Sequence, residues 1–146
     1  MQGHLLLVFA AGFLVAADEP KDDAVKRDSK ALQGNWTVVS IEVNGTTVPK
    51  DKIGGRDATF KGDQYSIHSF RLTVKIDPIK QPKTIDMDGK DGNGKPLSMT
   101  GIYDLDGDTL KICFAKPGTK ERPAQFKTRP RTGESLIVYK RRLEKE

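Results

Sequence analysis

From residue 32 onward, apolar and polar positions alternate with a period of two. In Trp36-Thr-Val-Val-Ser-Ile-Glu-Val43, β-branched residues fill an extended run. It ends at Asn44-Gly45, a pair suited to a hairpin turn with positive φ at both central positions. Further extended runs follow at 58–60, 65–70, 72–76 and 84–88, divided by breaks such as Gly62-Asp63 and Asp77-Pro78. Residues 101–115 read as one hairpin. With Asp106-Gly107 as its two-residue turn, Tyr103, Leu105, Leu110, Ile112 and Phe114 share one face, and Ile102 is the apolar exception on the other. A short strand around Gln125-Phe126-Lys127 and a longer one over 135–141 complete the pattern. Only residues 48–53 and the polar stretch 18–31 carry helical potential. The latter lacks apolar periodicity and reads as a flexible leader or a short frayed helix.

About eight or nine short strands, with turn signals about every 8–12 residues, predict an all-β meander. Consecutive hairpin links favour a small antiparallel up-and-down barrel of about eight strands, because closure removes exposed edges. The predicted domain covers 32–143, with 144–146 as a charged tail.

Composition changes the picture at the start of the chain. The 25 Lys and Arg and the 20 Asp and Glu all lie beyond residue 17. Leu5 to Ala16 is an apolar run of about 12 residues, long enough for a secretory signal core and too short to span a bilayer. Val15-Ala16-Ala17 supplies small side chains for cleavage, so 1–17 is predicted to be a signal peptide. The chain is then exported, periplasmic or extracellular, with no transmembrane segment once mature. A single cysteine, Cys113, excludes a disulfide within one subunit.

The net charge of +5 divides into −2 over residues 1–110 and +7 over residues 111–146. A basic C-terminal third fits an anionic envelope polymer or a protein partner. Nucleic acid is not predicted, because the aromatics are not interleaved with the basic residues as stacking platforms.

Several stretches together carry a family resemblance. Leu32-Gln-Gly-Asn-Trp36 resembles the Gly-x-Trp opening of lipocalins. Taken with Pro82-Lys-Thr-Ile-Asp86, the hairpin 101–115, Arg122-Pro-Ala-Gln-Phe126 and Leu136-Ile-Val-Tyr-Lys-Arg141, the chain resembles an uncharacterised lipocalin-like family of bacterial secreted proteins, the planctomycete-type domain. The resemblance covers about residues 31–143. It implies a lipocalin-like barrel without a settled activity. It also implies that Trp36 plugs one end of the barrel, with Arg141 or Lys140 of the last strand stacked over it.

Candidate chemistry is sparse. His68 and Cys113 are the only conceivable thiol dyad, and no nucleophile, zinc or phosphate-loop motif is present. Asp86, Asp88 and Asp91 stand in an oxygen-rich stretch that reads as a hairpin loop and, less favourably, as a weak Ca²⁺ site, since Lys90 occupies a ligand position. Glu42 is an isolated acid. The sequence therefore predicts a non-enzymatic protein with no cofactor. Its expected role is binding a small apolar or amphipathic molecule, with Trp36, Tyr65, Tyr103, Phe114 and Phe126 as candidate lining residues. The competing reading of each is plain core packing.

Overall fold

Trp36 pairs with Ala58 on one side and with Arg141 on the other, and this double pairing closes the sheet into a barrel. The computed structural model describes residues 19–144; the predicted signal peptide, 1–17, lies outside them. In chain order the elements are α1 (Lys21–Leu32), β1 (Gly34–Val43), β2 (Thr46–Thr47), α2 (Lys50–Ile53), β3 (Asp57–Lys61), β4 (Gln64–Ile67), β5 (Phe70–Asp77), β6 (Thr84–Lys90), β7 (Pro96–Asp106), β8 (Thr109–Phe114) and β9 (Ser135–Arg141). Strands β1 and β3 to β9 pair antiparallel in sequence order, and β9 returns to β1; β2 adds only to the end of β1. The all-β up-and-down barrel of eight strands is the fold predicted from the alternation. No helix among the described residues is long and apolar enough to cross a membrane.

The period-two pattern sets which side chains fill the interior. Partners across the ladder point to the same face, so the inward set runs around the barrel from Trp36 and Val38 through Phe60, Tyr65, Leu72, Ile85 and Met87 to Tyr103, Ile112 and Tyr139. Eight strands enclose an interior just wide enough for side chains to fill. One irregularity keeps β1 in step with its partner. A bulge between Val38 and Ser40 leaves Val39 exposed and brings Ile41 back to the inside.

The first hairpin forms as predicted: Val43 pairs with Thr46, and Asn44 (φ 52°) and Gly45 (φ 78°) both take positive φ. The 101–115 hairpin differs in its turn. Leu105 pairs with Leu110 and Asp106 with Thr109, so the turn residues are Gly107-Asp108 rather than Asp106-Gly107. The register moves by two, and a shift of two preserves parity, so the predicted inward face survives intact. Gly101 stands opposite Phe114 on that face. A Cβ there would meet the Cys113 carbonyl oxygen at 2.6 Å and the Phe114 ring at 2.9 Å, so the ring occupies space that only a glycine leaves.

Two predicted segments fold otherwise. Of the stretch read as a flexible leader or a short frayed helix, residues 21–31 lie in an ordered helix: α1 begins after Pro20, with Asp22 and Asp23 in its first turn and Lys30 in its last, a charge order that suits the helix dipole. Its buried stripe is Ala24, Asp28 and Leu32, spaced by four, and a charged residue at the middle position hides the helical periodicity. Within the predicted helical stretch 48–53, only Lys50–Ile53 is helical.

The second difference is at 125–127, where no strand forms. Residues 115–134 instead run as an irregular connection back over the outer face of β6 to β8. Arg122 donates to the carbonyls of Ile85 (3.2 Å) and Gly101 (2.6 Å), and Thr128 binds Glu42 on β1. This cover explains why Ile102, Cys113 and Ala115 are buried although they face away from the barrel interior.

Candidate functional site

Helix α1 crosses the Trp36 end of the barrel and is held there by four sets of contacts. The Trp36 indole N–H donates to the Leu32 carbonyl at 2.8 Å. The Arg141 guanidinium donates to the carbonyls of Gln33 (3.0 Å) and Ala31 (2.7 Å), satisfying acceptors that a helix C-terminus leaves open. Gln33 spans to Gly62 in the β3–β4 turn, accepting from its N–H and donating to its carbonyl. Finally, the buried Asp28 carboxylate accepts from Tyr103 Oη at 2.7 Å and from Lys83 Nζ at 2.8 Å.

Asp28 is only 4% exposed, yet its carboxyl lies below the usual carboxylate range. Burial alone would push it up; the hydrogen bonds from Lys83 and Tyr103 and the positive charge of Lys83 outweigh that effect. The helix is therefore latched by an ionised, fully partnered carboxylate.

Beside the latch lies a groove of about 1050 Å³. One wall is the flank of α1 that carries Lys21, Val25 and Ser29, spaced by four and continued by Gln33 just past the helix end. The other comprises the Gly62-Asp63 turn and the β5 segment Val74–Asp77. The apolar lining is Val25, Leu32, Phe60, Val74 and Ile76, all part of the core cluster or packed against it. The remaining lining is polar and charged, with five cations and three carboxylates. Two cations are engaged, Lys21 with Asp77 at 3.2 Å and Arg122 with Asp86 at 2.9 Å. Lys30, Lys75 and Lys80 make no ion pair among the described residues. Burial would raise the Asp77 carboxyl, but the hydrogen bond from Lys21 and the nearby charges of Lys21 and Lys80 leave it lowered.

Of the five aromatic residues expected to line a ligand site, four are packed inside the barrel. Trp36, Tyr65, Tyr103 and Phe114 are all buried, and none borders the groove. Their polar tips are engaged within the protein: Trp36 with Leu32, Tyr103 with Asp28, and Tyr65 with Tyr139 through hydroxyls 3.0 Å apart. Phe126 is half-buried in the 115–134 connection, away from the groove. The expected contact at the barrel end is present, with Arg141 stacked 4.3 Å from the Trp36 ring centroid. The groove residues that sequence reasoning passed over, Val74 and Ile76, are visible in the sequence only as one more alternating strand.

The other candidates are not assembled into a site. His68 is exposed in the β4–β5 turn, whereas Cys113 is buried on β8 and directed at the Lys127 carbonyl; β4 and β8 are separated by three strands in either direction around the barrel. Burial pushes the Cys113 thiol up, away from the thiolate a nucleophile needs. Asp86 pairs with Arg122, Asp88 accepts from Ser98, and Asp91 accepts from the N–H groups of Asn93 and Lys95 within its own turn. No group of three or more metal-ligating side chains is brought together among the described residues. Glu42 is tied to Thr128 and so helps anchor the 115–134 connection.

The basic C-terminal third is likewise divided. Arg122 and Arg129 are spent on Asp86 and Glu134, and Arg141 on Asp108 and α1. Lys116, Lys120, Lys127 and Arg131 remain exposed along the 115–134 connection. No protein-family model matches the chain, and no curated protein or solved structure matches it, so the chemistry of the groove rests on its own residues.

Proposed function

We propose that this protein is a ligand-binding barrel that takes a small amphipathic molecule in the groove beneath α1. The supporting observation is an apolar lining of Val25, Leu32, Phe60, Val74 and Ile76 bordered by charged side chains. Small-molecule sites have this character, being mostly apolar with a few convergent polar groups, and occupy about 300–1,000 Å³. The barrel interior, filled by side chains of all eight strands, contributes rigidity and the groove contributes the site.

The test is binding of an uncharged hydrophobic probe such as N-phenyl-1-naphthylamine, with native mass spectrometry of the purified protein for retained small molecules. Probe fluorescence rises on binding to the native protein, and Val25→Trp, which fills the groove from the helix flank, lowers it without loss of β-sheet signal. A protein that neither retains a molecule nor binds the probe sinks the proposal.

A second reading rests on the exposed Lys116, Lys120, Lys127 and Arg131 along one connection. That surface is suited to an anionic polymer or an acidic protein surface. Retention on an anionic matrix that is unchanged between low and high salt would count against it.

A further inference from the structure

The uneven charge around the groove specifies which amphipathic molecule it suits. The lining carries five cations, Lys21, Lys30, Lys75, Lys80 and Arg122, against three carboxylates, Asp63, Asp77 and Asp86. Lys21 and Arg122 pair with Asp77 and Asp86, Lys80 also lies near Asp77, and Lys75 stands opposite Asp86 in the β5–β6 ladder, which leaves an excess of two positive charges. Asp63 is itself engaged, accepting from the Gln64 amide at 3.1 Å. The three lysines that make no ion pair border the groove from different elements, Lys30 from the last turn of α1, Lys75 from β5, on the strand face opposite Val74 and Ile76, and Lys80 from the β5–β6 turn, so the positive excess is spread along its rim. All three lysines are exposed, which suits capture of a charged head at a solvent-facing rim while the alkyl part lies on Val25, Val74 and Ile76.

We infer that the groove selects a single-chain amphiphile with an anionic head, a carboxylate or phosphate monoester, over its uncharged counterpart. This rests on the ligand-binding reading above and adds the head-group class. An anion on the rim balances the lysine excess, a cationic head is repelled by it, and an uncharged head gains only the apolar contact. The head is the smaller part of the recognition, since a solvent-exposed charge contact contributes modestly and is screened by salt.

The experiment compares matched twelve-carbon ligands on the purified protein by isothermal titration calorimetry: dodecanoate, dodecyl phosphate, dodecanol and dodecyltrimethylammonium. The expected result is that both anions bind about tenfold more tightly than dodecanol at low salt, and that the preference shrinks to about twofold at ~500 mM salt. The triple variant Lys30→Gln, Lys75→Gln, Lys80→Gln brings the anions to within about twofold of dodecanol, and Lys95→Gln, in the β6–β7 turn, leaves the preference intact. Inorganic phosphate at millimolar concentration does not displace dodecyl phosphate, because the head alone lacks the apolar contact. Displacement by it identifies a free-anion site and overturns the amphiphile. Equal binding of dodecanol and dodecanoate by the native protein overturns the head-group assignment while leaving the groove a ligand site. Failure of all four ligands, together with failure of the neutral naphthylamine probe, overturns both.

Discussion

Tyr103 Oη donates to Asp28 Oδ2 at 2.7 Å across 75 positions of sequence, and this contact joins the N-terminal helix to the floor of the barrel end. Lys83 meets the same oxygen at 2.8 Å, so one carboxylate ties α1 to β7 and to the turn before β6. Asp28→Ala leaves the tyrosine hydroxyl and the lysine without their acceptor. The expected cost is about 2–3 kcal/mol, the low side of the range for a broken buried pair, because Lys83 keeps partial contact with water. Denaturant unfolding of the variant measures it. Faster amide exchange over 21–32 than in the native protein identifies the helix as the released part.

The same carboxylate shapes the acid limb of stability. Its folded value is lowered, so its stabilisation is fully present above the ordinary carboxylate value of about 3.9 and is lost as the pH falls through the lowered folded value. Asp77 and Glu134 are lowered as well and act in the same direction. Asp28→Asn keeps the side-chain shape and gives up the charge. It is therefore expected to be less stable at neutral pH and to show a shallower decline between about pH 4 and pH 2. A decline as steep as that of the native protein would show that Asp28 does not govern this limb.

All three tyrosines of the chain are buried, and burial raises each phenol above its ordinary value; for Tyr103 the neighbouring Asp28 charge adds to the effect. Raised folded values mean that stability is fully present below about pH 10 and is lost as the pH climbs through them. Absorbance at 295 nm is expected to stay flat through about pH 10–11 and then rise in one step together with loss of the β-sheet signal. A tyrosine that titrates near pH 10 in the folded protein would contradict the packing described for it.

Arg141 serves Trp36 and α1 at once, through the ring contact at 4.3 Å and the carbonyls of Ala31 and Gln33. Lysine cannot reproduce the planar fork, so Arg141→Lys is expected to lose about 1–2 kcal/mol although the charge is kept. Trp36 is the only tryptophan, so its emission reports the change directly at the barrel end.

Gly101→Ala is expected to destabilise by about 2–3 kcal/mol, since the added methyl meets both backbone and the Phe114 ring, and the β8 backbone cannot withdraw without breaking its pairing. Adding Phe114→Leu, which frees space opposite Gly101, should cost less than the sum of the two single changes. A double-mutant cycle reads that coupling.

Much of the barrel is legible in the sequence because strand parity is a local property. The set Tyr103, Leu105, Leu110, Ile112 and Phe114 is assigned to the inside even with the turn misplaced, because the error in register is an even number of residues. The Asn44-Gly45 turn is equally local, as both residues tolerate positive φ. The groove has no comparable signature. It lies where a helix flank and two strand ends fail to meet, and no spacing within any one of those segments encodes the gap. The aromatic candidates misdirect for a related reason: large rings at inward positions of a narrow barrel are what fills it.

The sequence by itself determined the antiparallel meander and the inward faces; that Arg141 rather than Lys140 stacks on Trp36 was decided by the fold. Tertiary structure alone decided that residues 21–32 form a docked helix and that residues 115–134 cover Ile102 and Cys113. It also decided where a groove is left between α1 and the barrel. The difference is one of range: alternation is written into neighbouring residues, whereas Asp28 becomes a core position only because Tyr103 and Lys83, distant in sequence, arrive to neutralise and hydrogen-bond it.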